Sequence, residues 1–152
     1  MSNKDALGNA LMFDYAYTFL HERMQNGAKT KDLKELGLFV PVAVNCAFSC
    51  ELFMKAMLPA ETRGHELKKL FSLLNSTIAS RIKDGVIKMM QETEPNYSES
   101  DFENDLAAND EAFDHWRYFH EGKRSPSFNM KFMFYFQKCL KAFASIHGQL
   151  AK

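Results

Sequence analysis

The chain has 152 residues, as many basic as acidic side chains, and a formal net charge of zero. That length fits one domain, 1–152, able to bury about 70% of the surface its unfolded form exposes, so neither disulfide nor metal is needed to fold it. Zero net charge gives no global attraction to nucleic acid or an anionic membrane. No apolar run approaches the ~20 residues of a spanning helix, and the opening MSNKDALGNA lacks the basic region and apolar core of a secretory signal.

The charge is nonetheless uneven. Residues 92–121 carry ten acids and one base, Arg117, and the remainder carries nine acids and eighteen bases, a net +9. An acidic face set against a basic one, within the fold or across a two-fold axis, predicts a homodimer. The cysteines are Cys46, Cys50 and Cys139, all inside apolar helical patterns. An odd count without framework spacing predicts reduced, buried thiols in a cytoplasmic protein. With no matching Cys/His pair, no metal site and no cofactor are expected.

Helical spacing dominates, and period-two alternation is almost absent. Helix one is predicted over residues 4–25, with Leu7, Leu11, Tyr15 and Thr18 on one stripe and Phe13, Tyr17 and Leu20 widening it. Asn26-Gly27 supplies a stop. Residues 29–35 read as a charged loop or short turn. Helix two opens near Pro41 and ends before Pro59. Helix three follows over 65–74, with Leu67, Leu70, Phe71 and Leu74 inward. Helix four runs from Ser76 or Thr77 to about Gln91 on the stripe Ile78, Ile82 and Val86. A polar loop over 92–99 leads to a capping box at Ser100 and Glu103. Helix five carries Phe102, Leu106, Phe113 and Trp116. Ser125 and Pro126 open the last helix, which holds Phe132, Phe136, Cys139, Leu140, Phe143 and His147. The fold predicted is an all-α antiparallel bundle of five to six helices.

Ionisable residues inside the apolar runs are the candidate site. Glu51 is flanked by Ala47, Phe48, Met54 and Leu58. It pairs either with Lys55 one turn on or with Arg117 from another helix. Arg117, His120 and Glu121 lie among Trp116, Tyr118 and Phe119. Arg117 and Glu121 are spaced for a local ion pair, and Arg117 also suits a bidentate contact with Glu51. His65, at a helix start, reads as a cap or solvated residue. His120, three residues from Arg117, has the chemistry for acid–base work on a phosphodiester. Phosphate-cradling glycine loops, H-E-x-x-H, Glu-x-x-His and G-x-S-x-G are all missing.

Three segments together resemble the HEPN superfamily (higher eukaryote and prokaryote nucleotide-binding). They are Asn45-Cys-Ala-Phe-Ser-Cys-Glu51-Leu-Phe-Met-Lys55-Ala-Met-Leu58, Gly64-His65-Glu-Leu-Lys-Lys-Leu-Phe71 and Trp116-Arg117-Tyr118-Phe-His-Glu121. The resemblance covers residues 41–150. It implies a dimerising all-α bundle from a microbial defence or toxin–antitoxin setting, with RNA or nucleotide as ligand and a nucleotidyltransferase as possible partner. Ribonucleolytic members carry Arg, then His four to six residues later. The nearest spacings here are Arg117-x-x-His120 and Arg63-Gly-His65. The resemblance therefore implies a binding or regulatory module without robust nuclease activity, its polar network drawn from Glu51, Lys55, His65, Arg117 and Glu121. The alternatives are a metal-independent ribonuclease using Arg117 and His120, and a structural interaction bundle.

Overall fold

The computed structural model describes residues 3–110 and 129–150, with backbone alone for 148–150. Among these the chain is all-helical. Six helices of seven residues or more are α1 (Asn3–Thr30), α3 (Phe39–Ala56), α4 (Leu67–Leu73), α5 (Ser76–Gln91), α6 (Glu99–Ala108) and α7 (Met130–Leu150); α2 (Leu33–Leu36) is a single turn. This is the all-α bundle expected. Phe113, Trp116, Ser125 and Pro126 lie outside the described residues.

α3 is the axial element. Eleven of its eighteen residues are buried, as a helix apolar on every side requires. It packs on α1 along one flank and on α7 along the other, and α5 covers α7. Small residues let α1 and α3 approach: Ala6 and Ala10 on one helix, Ala43 and Ala47 on the other, all buried. One apolar cluster then runs through Phe53, Leu67, Ile82, Phe102, Phe132 and Phe136. The inward residues predicted for α4 are buried; on α7, Phe132, Phe136 and Leu140 are buried, while Cys139, expected as a buried thiol, and Phe143 and His147 are half-buried. In α5, Ile82 and Val86 are fully buried and Ile78 is half-buried.

By length and composition alone, Leu33–Ala56 is apolar enough to cross a membrane, which corrects the expectation that no run approaches that length. Half of its most apolar eighteen-residue window is buried inside the bundle, and a core helix passes the same test of length and composition.

α1 differs most from its sequence reading. Its buried face is Ala6, Ala10, Asp14 and Tyr17, while Leu11 and Tyr15 point to solvent. The helix carries apolar side chains on two faces, and the one with small residues is the one that meets α3. Gly27 does not stop it. The helix continues to Thr30 and turns at Lys31, which takes φ 59°. Asp32 N–H donates back to the Gly27 carbonyl at 2.9 Å, the six-to-one bond of a Schellman end. Gly27 serves close packing instead: a Cβ there would collide with Glu35 Cβ. Arg23 Nε donates to both Glu35 oxygens at 3.1 Å, holding α2 against α1. Gly27→Ala is expected to destabilise by about 1–3 kcal/mol through overpacking. Lys31→Gly should stabilise by about 1 kcal/mol by relieving the left-handed residue. Thermal melts of the two variants should shift in opposite directions.

The N-caps also fall beside their predicted positions. Asn75, not Ser76 or Thr77, caps α5 by accepting from Thr77 N–H at 3.0 Å. The capping box of α6 is Ser98 with Asp101, two residues before the expected pair. These Ser98 bonds hold the Asp101 carboxyl below its usual range.

Candidate functional site

Glu51 sits near the C-terminal end of α3 and is 1% exposed. Helical spacing puts Lys55 directly over it, and Lys55 Nζ donates to Glu51 Oε1 at 2.7 Å. After α3 the chain turns through Pro59, whose carbonyl accepts from Thr62 N–H at 2.9 Å. It then passes Gly64 at φ 105°, a backbone conformation side-chain-bearing residues rarely adopt. That turn returns His65 to the helix end, where Nδ1 lies 3.0 Å from the same Glu51 oxygen. A carboxylate only accepts, so Nδ1 carries the hydrogen, and Glu51 thereby fixes the ring's orientation. The other oxygen, Oε2, is buried with no hydrogen-bond partner among the described residues.

Above this triad lies a pocket of about 280 Å³. Lys55, Arg63 and His65 line it together with Asn3 from the start of α1, and Glu61 adds one acidic group. His65 is 57% exposed. The site thus has a rigid floor tied to a buried charge and a wall of cations and donors open to solvent. Such a wall suits an anionic ligand with several oxygen acceptors. Among the described residues, no group of three or more His, Cys, Asp or Glu is placed to hold a metal ion.

The structure therefore brings together three of the residues singled out in the sequence, Glu51, Lys55 and His65. Arg117, His120 and Glu121 lie outside the described residues, and so does the expected contact of Arg117 with Glu51. Of the two readings of His65, cap or solvated residue, the cap is not made, since α4 begins at Leu67 after Glu66; the ring is exposed, as a solvated residue is, while its Nδ1 meets Glu51. Of the two pairings expected for Glu51, the one with Lys55 is formed, and the carboxylate is buried.

Two further polar ties were missed. Asp14, buried on α1, accepts from Lys141 Nζ at 2.6 Å and from Gln137, tying α1 to α7. Its position between Ala10 and Tyr17 on one helical face was the signal. Asp105 accepts from Tyr97 Oη at 2.7 Å and from Asn129 Nδ2 at 3.0 Å. Burial and that bond to Asp105 raise the Tyr97 phenol. The cysteines offer no activated nucleophile. Cys46 and Cys50 are buried, and burial pushes the Cys139 thiol up to about 11.

His21, on α1, stacks on Tyr17 at 5.6 Å and approaches Phe134 at 5.9 Å. Burial lowers its pKa below 6.5. The unfolded chain then binds the extra proton first, so the His21 contribution is present above pH 6.5 and is lost as pH falls through the folded value. Urea midpoints measured downward from pH 7 should fall more steeply in the parent than in His21→Gln.

Compared with known proteins, the chain matches no family model, no curated protein and no solved structure.

Proposed function

We propose that this chain is a HEPN-type binding or regulatory module of the bacterial cytoplasm, working in a defence or toxin–antitoxin setting beside a nucleotidyltransferase. Its working surface is the pocket over the end of α3, and its ligand carries phosphate, as a nucleotide or an RNA segment. One observation carries the reading: a buried carboxylate, Glu51, holds Lys55 and His65 on the wall of an open pocket that Arg63 also lines. Burying a carboxylate is costly unless it is paired. An arrangement that fixes two donors toward solvent is more than a packing device needs.

A second reading, metal-independent RNA cleavage, is favoured by the same His65. An imidazole oriented by a carboxylate beside an arginine has the parts of a general acid–base site. His65 and Arg63 then join Arg117 and His120 as candidates for that chemistry.

Titration calorimetry with nucleoside mono-, di- and triphosphates and with a short single-stranded RNA tests the binding reading. Saturable binding that weakens with salt and falls at least tenfold in Arg63→Ala is the expected result. Arg63 is exposed, so the fold tolerates its loss. No binding by the parent protein sinks the proposal. Cleavage of the RNA without added metal, lost in His65→Ala, promotes the second reading instead.

A further inference from the structure

We infer that the cleft between α1 and the first turns of α7 is a binding site for a small, flat aromatic amine. The ligand's ring stacks on the aromatic walls of the cleft, and its ammonium is taken by Glu22. The site is separate from the phosphate pocket and does not depend on it.

The cleft follows from the way the two helices meet. Asp14 accepts from Gln137 and Lys141, which ties α1 to α7 at that level. The helices run antiparallel, so the next turns of α1 face the first turns of α7. There they enclose a cavity of about 600 Å³, within the usual range of small-molecule sites, about 300–1,000 Å³. Tyr17 and His21 line it from α1, and Met130, Phe134 and Tyr135 line it from α7. The Tyr17 and His21 rings stack with planes 16° apart, and Phe134 is tilted 35° to His21. His21, Met130, Phe134 and Tyr135 are only half-buried. Their flat faces are thus open to a ligand instead of sealed in the core, and such faces take a further ring by offset stacking or edge-on contact.

The charges decide the sign of the ligand. Burial lowers the His21 pKa below 6.5, so at neutral pH His21 is an uncharged ring wall and not a cation. Lys131 also lines the cleft, but its Nζ donates to Thr93 Oγ1 at 2.8 Å and pairs with Glu94. Lys138 stands outside the lining, with Nζ 5.9 Å from the Phe134 centroid, and shows that this ring attracts an ammonium. Glu22, on the α1 wall, is exposed, and no cation pairs with it among the described residues. The uncommitted charge of the cleft is therefore negative. A phosphate finds no uncommitted cation among the lining residues, whereas an aromatic ring that carries an ammonium suits both the walls and Glu22.

The probe is tryptamine, an indole that carries an ammonium at neutral pH. The control is indole-3-propionate, the same ring with a carboxylate. Titration calorimetry of the full chain should give saturable tryptamine binding with a Kd on the order of 0.1–1 mM, as suits a ligand of about a dozen heavy atoms. The control should bind about tenfold more weakly, and Glu22→Gln should abolish that difference. Phe134→Ala should weaken tryptamine about tenfold, and Arg63→Ala, in the other pocket, should leave it unchanged. Absence of saturable tryptamine binding overturns the inference. So does a control that binds as tightly as tryptamine, a preference that survives Glu22→Gln, or a loss of binding in Arg63→Ala. Undiminished binding by Phe134→Ala overturns it as well. Should that variant not fold, Phe134→Leu keeps the apolar volume without the aromatic face, and undiminished binding by it overturns the inference in the same way.

Discussion

Phe102→Ala is expected to destabilise the fold by about 4 kcal/mol, close to the whole stability of many small domains. Phe102 is fully buried on α6. Its ring meets Phe132 at 5.5 Å, Phe71 at 5.6 Å and Phe136 at 6.1 Å, with interplanar angles of 68°, 51° and 73°. Such tilted and edge-on pairs add about 0.5–1.5 kcal/mol beyond the area they bury. Removing the ring takes that away and leaves a cavity where α4, α6 and α7 converge. Leu73→Ala, on the exposed side of α4, should stay within about 0.5 kcal/mol of the parent. Urea unfolding of both variants checks the contrast, and equal midpoints would show that the aromatic cluster does not hold the bundle together.

The helices were legible because their apolar periodicity is strong where one face is buried, as with Ile82 and Val86 on α5 or Phe132, Phe136 and Leu140 on α7. α1 defeated the same logic. Leu11, Tyr15 and Phe19 lie on the outer face, whereas the core face is built from Ala6, Ala10, a buried aspartate and Tyr17, with Leu7, Phe13 and Leu20 packed beside them. Large apolar side chains point both ways there, so size alone does not choose the face. Gly27 was misplaced for a related reason. Sequence shows that a glycine is present, but not whether it serves a left-handed turn or a tight contact, and here the turn falls on Lys31. At the site, Glu51 stood out as a carboxylate inside an apolar run, and the Lys55 spacing was visible. Only the family resemblance drew His65 into the same network; spacing does not, since it is fourteen residues from Glu51 and meets it only through the turn at Gly64. Chain reversals of that kind leave no periodic trace.

Lys55→Met is expected to cost about 3 kcal/mol, because it leaves the buried Glu51 carboxylate with His65 as its only partner among the described residues. The double variant Glu51→Leu with Lys55→Met removes both charges and replaces them with apolar side chains of similar volume. It should recover to within about 1 kcal/mol of the parent. The two substitutions are thus strongly non-additive, and a thermodynamic cycle measures the coupling. This pair of variants separates stability from function. The refolded double variant has lost the Lys55 donor and the anchor that orients His65, while Arg63 and the pocket loop are unchanged. A pocket that binds phosphate through those donors should lose at least tenfold in affinity even though the fold is restored. If the double variant is as unstable as Lys55→Met alone, the stranded carboxylate is not the cause of the loss. If it folds and still binds as the parent does, the Glu51 triad is a packing lock and the ligand surface lies elsewhere.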